Sequence, residues 1–195
     1  MIRLSREIRF ALVPVLSEAE HKPMNSWAGW PSTNLVVPQL TLRCELEGDV
    51  DESTGYLCNI KIVDELLRAV VLGSLIPKFD GTQTAEAMIQ TVHQEMIAKW
   101  TPKAKLAALS LELSPFLSYS IVCEDNMKSV IQLTQQFEFS AAHRLHCDEL
   151  SDEENRAVFG KCNNPNGHGH NYVVEVTVAR NVDSAEGQVI PLNEF

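Results

Sequence analysis

A short signature occurs twice in this chain, and an internal repeat constrains a fold more than composition does. Val50-Asp51-x3-Gly55-x-Leu57-x-Asn59-Ile60 returns as Val182-Asp183-x3-Gly187-x-Val189-x-Pro191-Leu192, at a constant offset (182 − 50 = 132). In each copy the signature follows a segment with strand-like alternation. The first copy runs on from Gly55 through two helical and two strand-like segments, whereas the second stops at Phe195, soon after Gly187. Residues 1–125 are therefore expected to form one full repeat, and residues 126–195 the N-terminal hairpin half of another. The boundary is expected near Glu124–Lys128, where Glu-Asp-Asn-Met-Lys separates two apolar runs.

Hydrophobic periodicity supplies the elements. Thr41–Glu47 alternates apolar and polar residues, as a half-buried strand does, and Asp49–Gly55 provides turn chemistry. From Ile60 the period changes. Ile62, Leu66 and Val70 with Val63, Leu67 and Val71 make one helical face, and Gly73 stands where a C-cap belongs. Pro77–Gly81 reads as a loop. Thr84–Trp100 repeats the helical pattern through Met88, Val92, Met96 and Trp100, and Pro102 stops it. Leu106–Leu113, Ser118–Cys123, Ser129–Ala141 and, after a polar loop, Asn171–Val178 read as strands. The order is β-β-α-α-β-β followed by β-β, an α+β chain. A lone hairpin is only marginally stable in water, so the half repeat must pair with the first repeat, with another chain or with further residues.

Of 195 residues, 45% are hydrophobic and 22% charged, the balance of a globular protein rather than a disordered, collagen-like or disulfide-miniprotein chain. The formal net charge of −10 argues against a protein that grips nucleic-acid backbone. It leaves room for a local basic pocket for a phosphorylated small molecule. Apolar stretches such as Phe10–Leu16 and Ala69–Leu72 fall far short of the roughly 20 residues that span a membrane. The N-terminal Met1–Arg9 segment, with Glu7 in it, does not read as a signal peptide. Five scattered cysteines without a CxxC pair fit free thiols in a reducing cytoplasm.

Four of the six histidines fall between residues 143 and 170. His168 and His170, spaced i, i+2 at a strand entrance, present both imidazoles on one face. His143 ends the preceding strand, expected to be their hairpin neighbour. Three converging imidazoles are a zinc arrangement with an open fourth position, the catalytic pattern. Cys162 lies six residues before His168, and the turn cluster Asn163–Gly167 can fold its thiol over the metal. Gly167 and Gly169 flank His168 and let the backbone approach closely. The same residues also suit a closed structural zinc site of Cys162 and three histidines. His146 and Cys147 read as solvated loop residues, His93 as a helix-surface histidine, and His21 as part of a polar loop.

Phe139-Ser-Ala-Ala-His143-Arg-Leu-His146, Leu150-Ser-Asp-Glu-Glu-Asn155 and Phe159-Gly-Lys-Cys162-Asn-Asn-Pro-Asn-Gly-His168-Gly-His170-Asn-Tyr172 resemble the 6-pyruvoyl-tetrahydropterin synthase family and its 6-carboxytetrahydropterin-forming relatives. The close resemblance covers residues 135–187. The β-β-α-α-β-β order of residues 1–125 resembles the family's tunnelling fold more weakly. The resemblance implies that His143, His168 and His170 bind Zn²⁺ and that Cys162 is the catalytic base, not a fourth ligand. It implies 7,8-dihydroneopterin triphosphate as substrate, with loss of triphosphate and rearrangement of the side chain, in tetrahydropterin or queuosine biosynthesis. Zn²⁺ would polarise the side-chain hydroxyls and acidify an adjacent C–H bond, and a thiol beside a metal serves as a base.

The resemblance also implies a carboxylate that anchors the pterin ring, and Glu112 in Leu109-Ser-Leu-Glu-Leu stands near its place. A homo-oligomer is implied too, its sheets joined edge to edge and its active sites at subunit interfaces, which would remove exposed sheet edges. Two departures run the other way. The family's Asp-His pair between the helices is absent, because Pro77-Lys-Phe-Asp-Gly81 holds no histidine. At the offset of the two signatures, Val36 and Pro38 stand opposite His168 and His170, so the first repeat reads as a copy that keeps the scaffold and has lost the metal site. A non-catalytic zinc- or pterin-binding scaffold subunit is therefore the alternative to an enzyme.

Overall fold

The structure, a computed structural model, describes residues 1–13, 36–123 and 129–182. Six strands form one antiparallel sheet in chain order: β1 (Ile2–Ala11), β2 (Gln39–Gly48), β3 (Lys105–Ser114), β4 (Leu117–Cys123), β5 (Ser129–His143) and β6 (His168–Asn181). Helices α1 (Ile60–Val70) and α2 (Ala85–Lys99) lie between β2 and β3, and α3 (Asp152–Phe159) between β5 and β6. This is the α+β order expected of the tunnelling fold, followed by a second hairpin. The expected boundary at Glu124–Lys128, residues 183–192 of the second signature and His21 lie outside the described residues.

The chain divides into two compact units, one of residues 1–135 with 177–195 and one of residues 136–176. In the first, alternation along β2 buries Leu40, Leu42, Cys44 and Leu46. They join Leu109 and Leu111 of β3, Ile121 of β4, and Ile131 and Leu133 of β5. The helices supply Val63, Leu67 and Val70 from α1 and Met88, Ile89, Val92 and Met96 from α2. Each such aliphatic side chain contributes about 1.5–3 kcal/mol on burial. Of the six residues expected on one apolar face of α1, Val63, Leu67, Val70 and Val71 are buried, while Ile62 is exposed.

Both helix starts are capped as Asn and Thr dictate: Asn59 accepts from the Lys61 N–H and Thr84 from the Ala87 N–H. Arg6 of β1 ties to Asp64 of α1 through two hydrogen bonds of 2.9 and 2.6 Å. β5 pairs with β4 from Leu117↔Gln135 to Cys123↔Ser129, so the first half of β5 extends the sheet of the first unit. Thr134 meets Thr177 at 2.9 Å, and the Val182 N–H donates to the Ser129 carbonyl at 2.9 Å. Arg180 of β6 forms a buried ion pair with Glu86 of α2.

Three expectations differ from the structure. Gly73 is not a C-cap. The helix continues as a π-helical turn over Val71–Leu75, and the Ile76 N–H bonds the Val71 carbonyl. β6 begins at His168, ahead of the expected start at Asn171. The polar loop before it contains α3, whose apolar periodicity is weak because Asn155 is its one buried residue. The strand that the β-β-α-α-β-β order requires before Thr41 is β1.

Candidate metal centre

In the second unit, β5 and β6 run as a ribbon whose two faces differ. Phe139 stacks on Tyr172 with ring centroids 5.4 Å apart and planes at 16°. His170 meets the edge of Tyr172 at 6.0 Å. By the two-residue period of strands, His143, His168 and His170 share that face. On the other face the Ser140 hydroxyl donates to Asn171 at 2.7 Å and the Gln136 amide to Glu175 at 3.2 Å.

The three imidazoles converge as the spacing requires. Ring centroids lie 4.5 Å apart for His143 and His168, 5.0 Å for His143 and His170, and 4.6 Å for His168 and His170. One ligand atom from each falls within 4.8 Å of the others. The turn that delivers His168 depends on Gly167. Its φ is +74°, and a Cβ there would stand 3.0 Å from the His143 carbonyl oxygen, so no larger residue fits without displacing a histidine backbone. Gly169 carries no such constraint, since a Cβ would lie 4.0 Å from the Ala141 carbonyl.

His168 supplies the test of whether these residues suit a metal. Its Nδ1 is buried and has no hydrogen-bond partner among the described residues. Burial first, then the neighbouring imidazoles of His143 and His170, pushes its pKa below the ordinary histidine value. The group is thereby held in the neutral form that binds metal, with a buried lone pair that a cation would satisfy. The donor set fits a divalent ion that takes nitrogen ligands.

Cys162 sits in a 3-10 turn over Gly160–Asn163 that follows α3. Its carbonyl accepts the Leu145 N–H at 2.8 Å, which brings the turn back to the strand end that carries His143. The half-buried thiol is not part of the three-imidazole group. Glu112 belongs to the first unit. It lies on β3 between Thr41 and Ser118 and pairs with Arg43 at 3.1 Å. Asp80 accepts from the Thr82 N–H and hydroxyl, which lower its pKa, and so serves its own turn. Val36 and Pro38 offer no ligand atom. Pro38 instead receives the Leu12 N–H on its carbonyl.

Polar residues that the spacing did not single out hold the loop in place. Buried Asn155 donates to the carbonyls of Cys147, Leu150 and Ser151 and accepts the Cys147 N–H. Buried Asn163 donates to the Leu145 carbonyl and to His146 Nδ1, and its own carbonyl and side-chain oxygens receive Arg144. His146 is an exposed loop residue that accepts the Asn163 amide on Nδ1, and the Cys147 backbone is held by Asn155. α3 opens with a capping box of Ser151 and Glu154, a Ser-x-x-Glu signal present in the sequence. His93 also differs from expectation. Its Nε2 lies 3.7 Å from the Cys123 sulfur and 3.5 Å from the Ser129 hydroxyl.

Comparison with known proteins places this segment. Residues 132–195 match the family described as 6-pyruvoyl tetrahydropterin synthase. The 6-pyruvoyl tetrahydrobiopterin synthase of Homo sapiens is 59% identical over 64 residues, 33% of this chain and 44% of that protein. Its counterpart in Poecilia reticulata is 58% identical over 63 residues, 32% of this chain and 43% of the relative. The solved 6-pyruvoyl tetrahydropterin synthase of Caenorhabditis elegans is 52% identical over 33% of this chain and 46% of its own, with a TM-score of 0.27. The chain thus spans less than half the length of each of these three relatives. Within it, the segment from residue 132 onward, which carries the three histidines and Cys162, is the part similar to the 6-pyruvoyl tetrahydropterin synthases.

Proposed function

We propose that the chain acts as a zinc-dependent pterin synthase on 7,8-dihydroneopterin triphosphate, giving a 6-pyruvoyl- or 6-carboxy-tetrahydropterin. The observation that carries this reading is the convergence of His143, His168 and His170, one ligand atom of each lying within 4.8 Å of the others. These three histidines would hold Zn²⁺, which when bound polarises the side-chain hydroxyls and acidifies the neighbouring C–H. Cys162 Sγ takes that proton. The electron pair left behind forms a carbon–carbon double bond as the C–O bond to triphosphate breaks, and triphosphate departs with the bonding pair. Glu112 receives the paired N–H donors of the pterin, after its link to Arg43 gives way. The names of the relatives support a synthase.

Residues 1–125 serve in this reading as a first repeat that keeps the scaffold, and residues 126–195 as the hairpin half that brings the chemistry. The protein works in the cytoplasm as a homo-oligomer, β6 being an edge strand of the sheet. A second reading, a zinc- or pterin-binding scaffold subunit without turnover, is favoured by one observation: Asp80 is engaged by Thr82 and has no histidine beside it.

Zinc content and turnover of 7,8-dihydroneopterin triphosphate, measured on wild type and Cys162→Ala, separate the readings. The synthase reading expects Cys162→Ala to keep its zinc and to lose about 10²–10⁴-fold in turnover, the contribution of a general base. Zinc lost with the thiol would make Cys162 a structural ligand. Wild type with zinc and no turnover would establish the scaffold reading.

A further inference from the structure

The second unit carries seven carboxylates (Glu138, Asp148, Glu149, Asp152, Glu153, Glu154 and Glu175) against three cations (Arg144, Arg156 and Lys161), a balance of 3 − 7 = −4. All three cations line one pocket of about 790 Å³, and of the seven carboxylates Asp152 alone does so. Chance would scatter so few positive charges among so many negative ones. The sorting is the more telling because none of the three is ion-paired among the described residues. In the first unit Arg3, Arg6, Arg9, Arg43 and Arg180 are ion-paired, and of its arginines Arg68 alone has no ion pair among the described residues.

Two of the three are also aimed. Asn163, itself buried, receives Arg144 Nε on its backbone carbonyl at 3.1 Å and Nη2 on its side-chain oxygen at 3.2 Å. That leaves three of the five guanidinium N–H donors unused. Arg156 Nε donates to the Asp152 carbonyl at 3.2 Å, leaving its two terminal nitrogens unbonded. Lys161 makes no side-chain bond among the described residues. Guanidinium groups with open forks and an unpaired ammonium are the chemistry that recognises phosphate oxygens. His168 of the histidine triad stands in the wall of the same pocket.

We propose that this pocket is the seat of a condensed phosphate chain, held by Arg144, Arg156 and Lys161 beside the metal centre. The proposal rests on the synthase reading in taking that chain to be the triphosphate of the substrate. The cations then hold the leaving group and balance the charge that gathers on it as the C–O bond breaks. This locates the positive charge that a chain of net −10 must supply for such a ligand.

Calorimetric titration with inorganic tripolyphosphate, on metal-stripped protein at low and moderate salt, tests the pocket without the zinc. Wild type is expected to bind saturably and more weakly as salt rises. Arg156→Gln and Lys161→Gln are each expected to weaken binding by about 10-fold without changing the zinc content of reloaded protein. Arg68→Gln, on α1 of the first unit, is expected to leave the titration unchanged. No binding by wild type, or equal binding by wild type and the Arg156→Gln/Lys161→Gln pair, overturns the proposal even where zinc and turnover are intact. Pocket-dependent binding in a protein that holds no zinc and turns nothing over upholds the anion site and removes the synthase reading instead.

Discussion

Leu40, Leu42, Cys44 and Leu46 of β2 stand at the offset of the two signatures from Tyr172, Val174, Val176 and Val178 of β6, and both quartets occupy alternate positions of their strands. Leu40 faces Phe10 across the β1–β2 ladder, as Tyr172 faces Phe139 across β5–β6. The first pair is 6% and 0% exposed, packed in one cluster with Val63, Leu67 and Val92 from the helices. The second pair is 40% and 50% exposed, and Val174 is 41% exposed. One strand pattern therefore ends in two environments, because alternation specifies a face and only a neighbouring element buries it. The hairpin whose face is exposed carries the histidines, and its loop the three cations of the pocket. The covered one carries hydrocarbon.

The contrast is tested most severely at the base of the second hairpin, where Arg180 and Glu86 are buried together. Removing one partner of such a buried pair costs up to about 3–5 kcal/mol. Glu86→Ala should therefore lower the melting temperature by roughly 6–20 °C, and a change too small to resolve would show that the hairpin is not held there. Next in size is a matched truncation. Leu42→Ala should cost about 2–5 kcal/mol in denaturant unfolding, and its counterpart Val174→Ala no more than about 0.5 kcal/mol. Comparable losses at both positions would mean that the β6 face is covered by a second copy in solution, which a sizing experiment would then show.

A smaller effect separates two glycines with left-handed backbone. Gly55 has open space around it, so Gly55→Ala costs about 1 kcal/mol of conformational strain. Gly167→Ala adds a clash with the His143 carbonyl and should cost about 2–3 kcal/mol, with zinc content falling alongside stability. Equal penalties would remove the close approach from the account.

The smallest effect concerns pH in metal-free protein. His168 titrates below the ordinary histidine value of 6.5 in the folded state, so the unfolded chain binds more protons in that window. Stability is then fully present above about pH 6.5 and is lost as pH falls through the lowered folded value. Melting temperatures followed from about pH 8 down to about pH 5 should show this slope in wild type and a flatter one in His168→Gln. Parallel profiles would exclude it.

The strands and the two long helices were legible because their periods of 2 and 3.6 are driven by burial, and the His168–His170 pair because strand geometry fixes which face two alternate residues share. What escaped did so for physical reasons. α3 buries Asn155 rather than an apolar stripe, so only its Ser151–Glu154 capping box announced it. Gly73 looked like a helix end because local propensity favours one, yet packing of Val71 and Leu75 carries the backbone through a π-helical turn. Arg144, Arg156 and Lys161 are unevenly spaced along the chain, with no period to link them. Only the folded loop, organised by Asn155 and Asn163, sets them around one cavity.

The Asn155 and Asn163 bonds bind the excursion between His143 and His170 to itself, and every group assigned to the metal and the phosphate chain lies on that one continuous segment. Releasing the metal would free the two ends of a single loop, leaving the sheet's ladders intact. Amide hydrogen exchange should then register metal loss as faster exchange at residues 143–170, through an opening below the free energy of global unfolding.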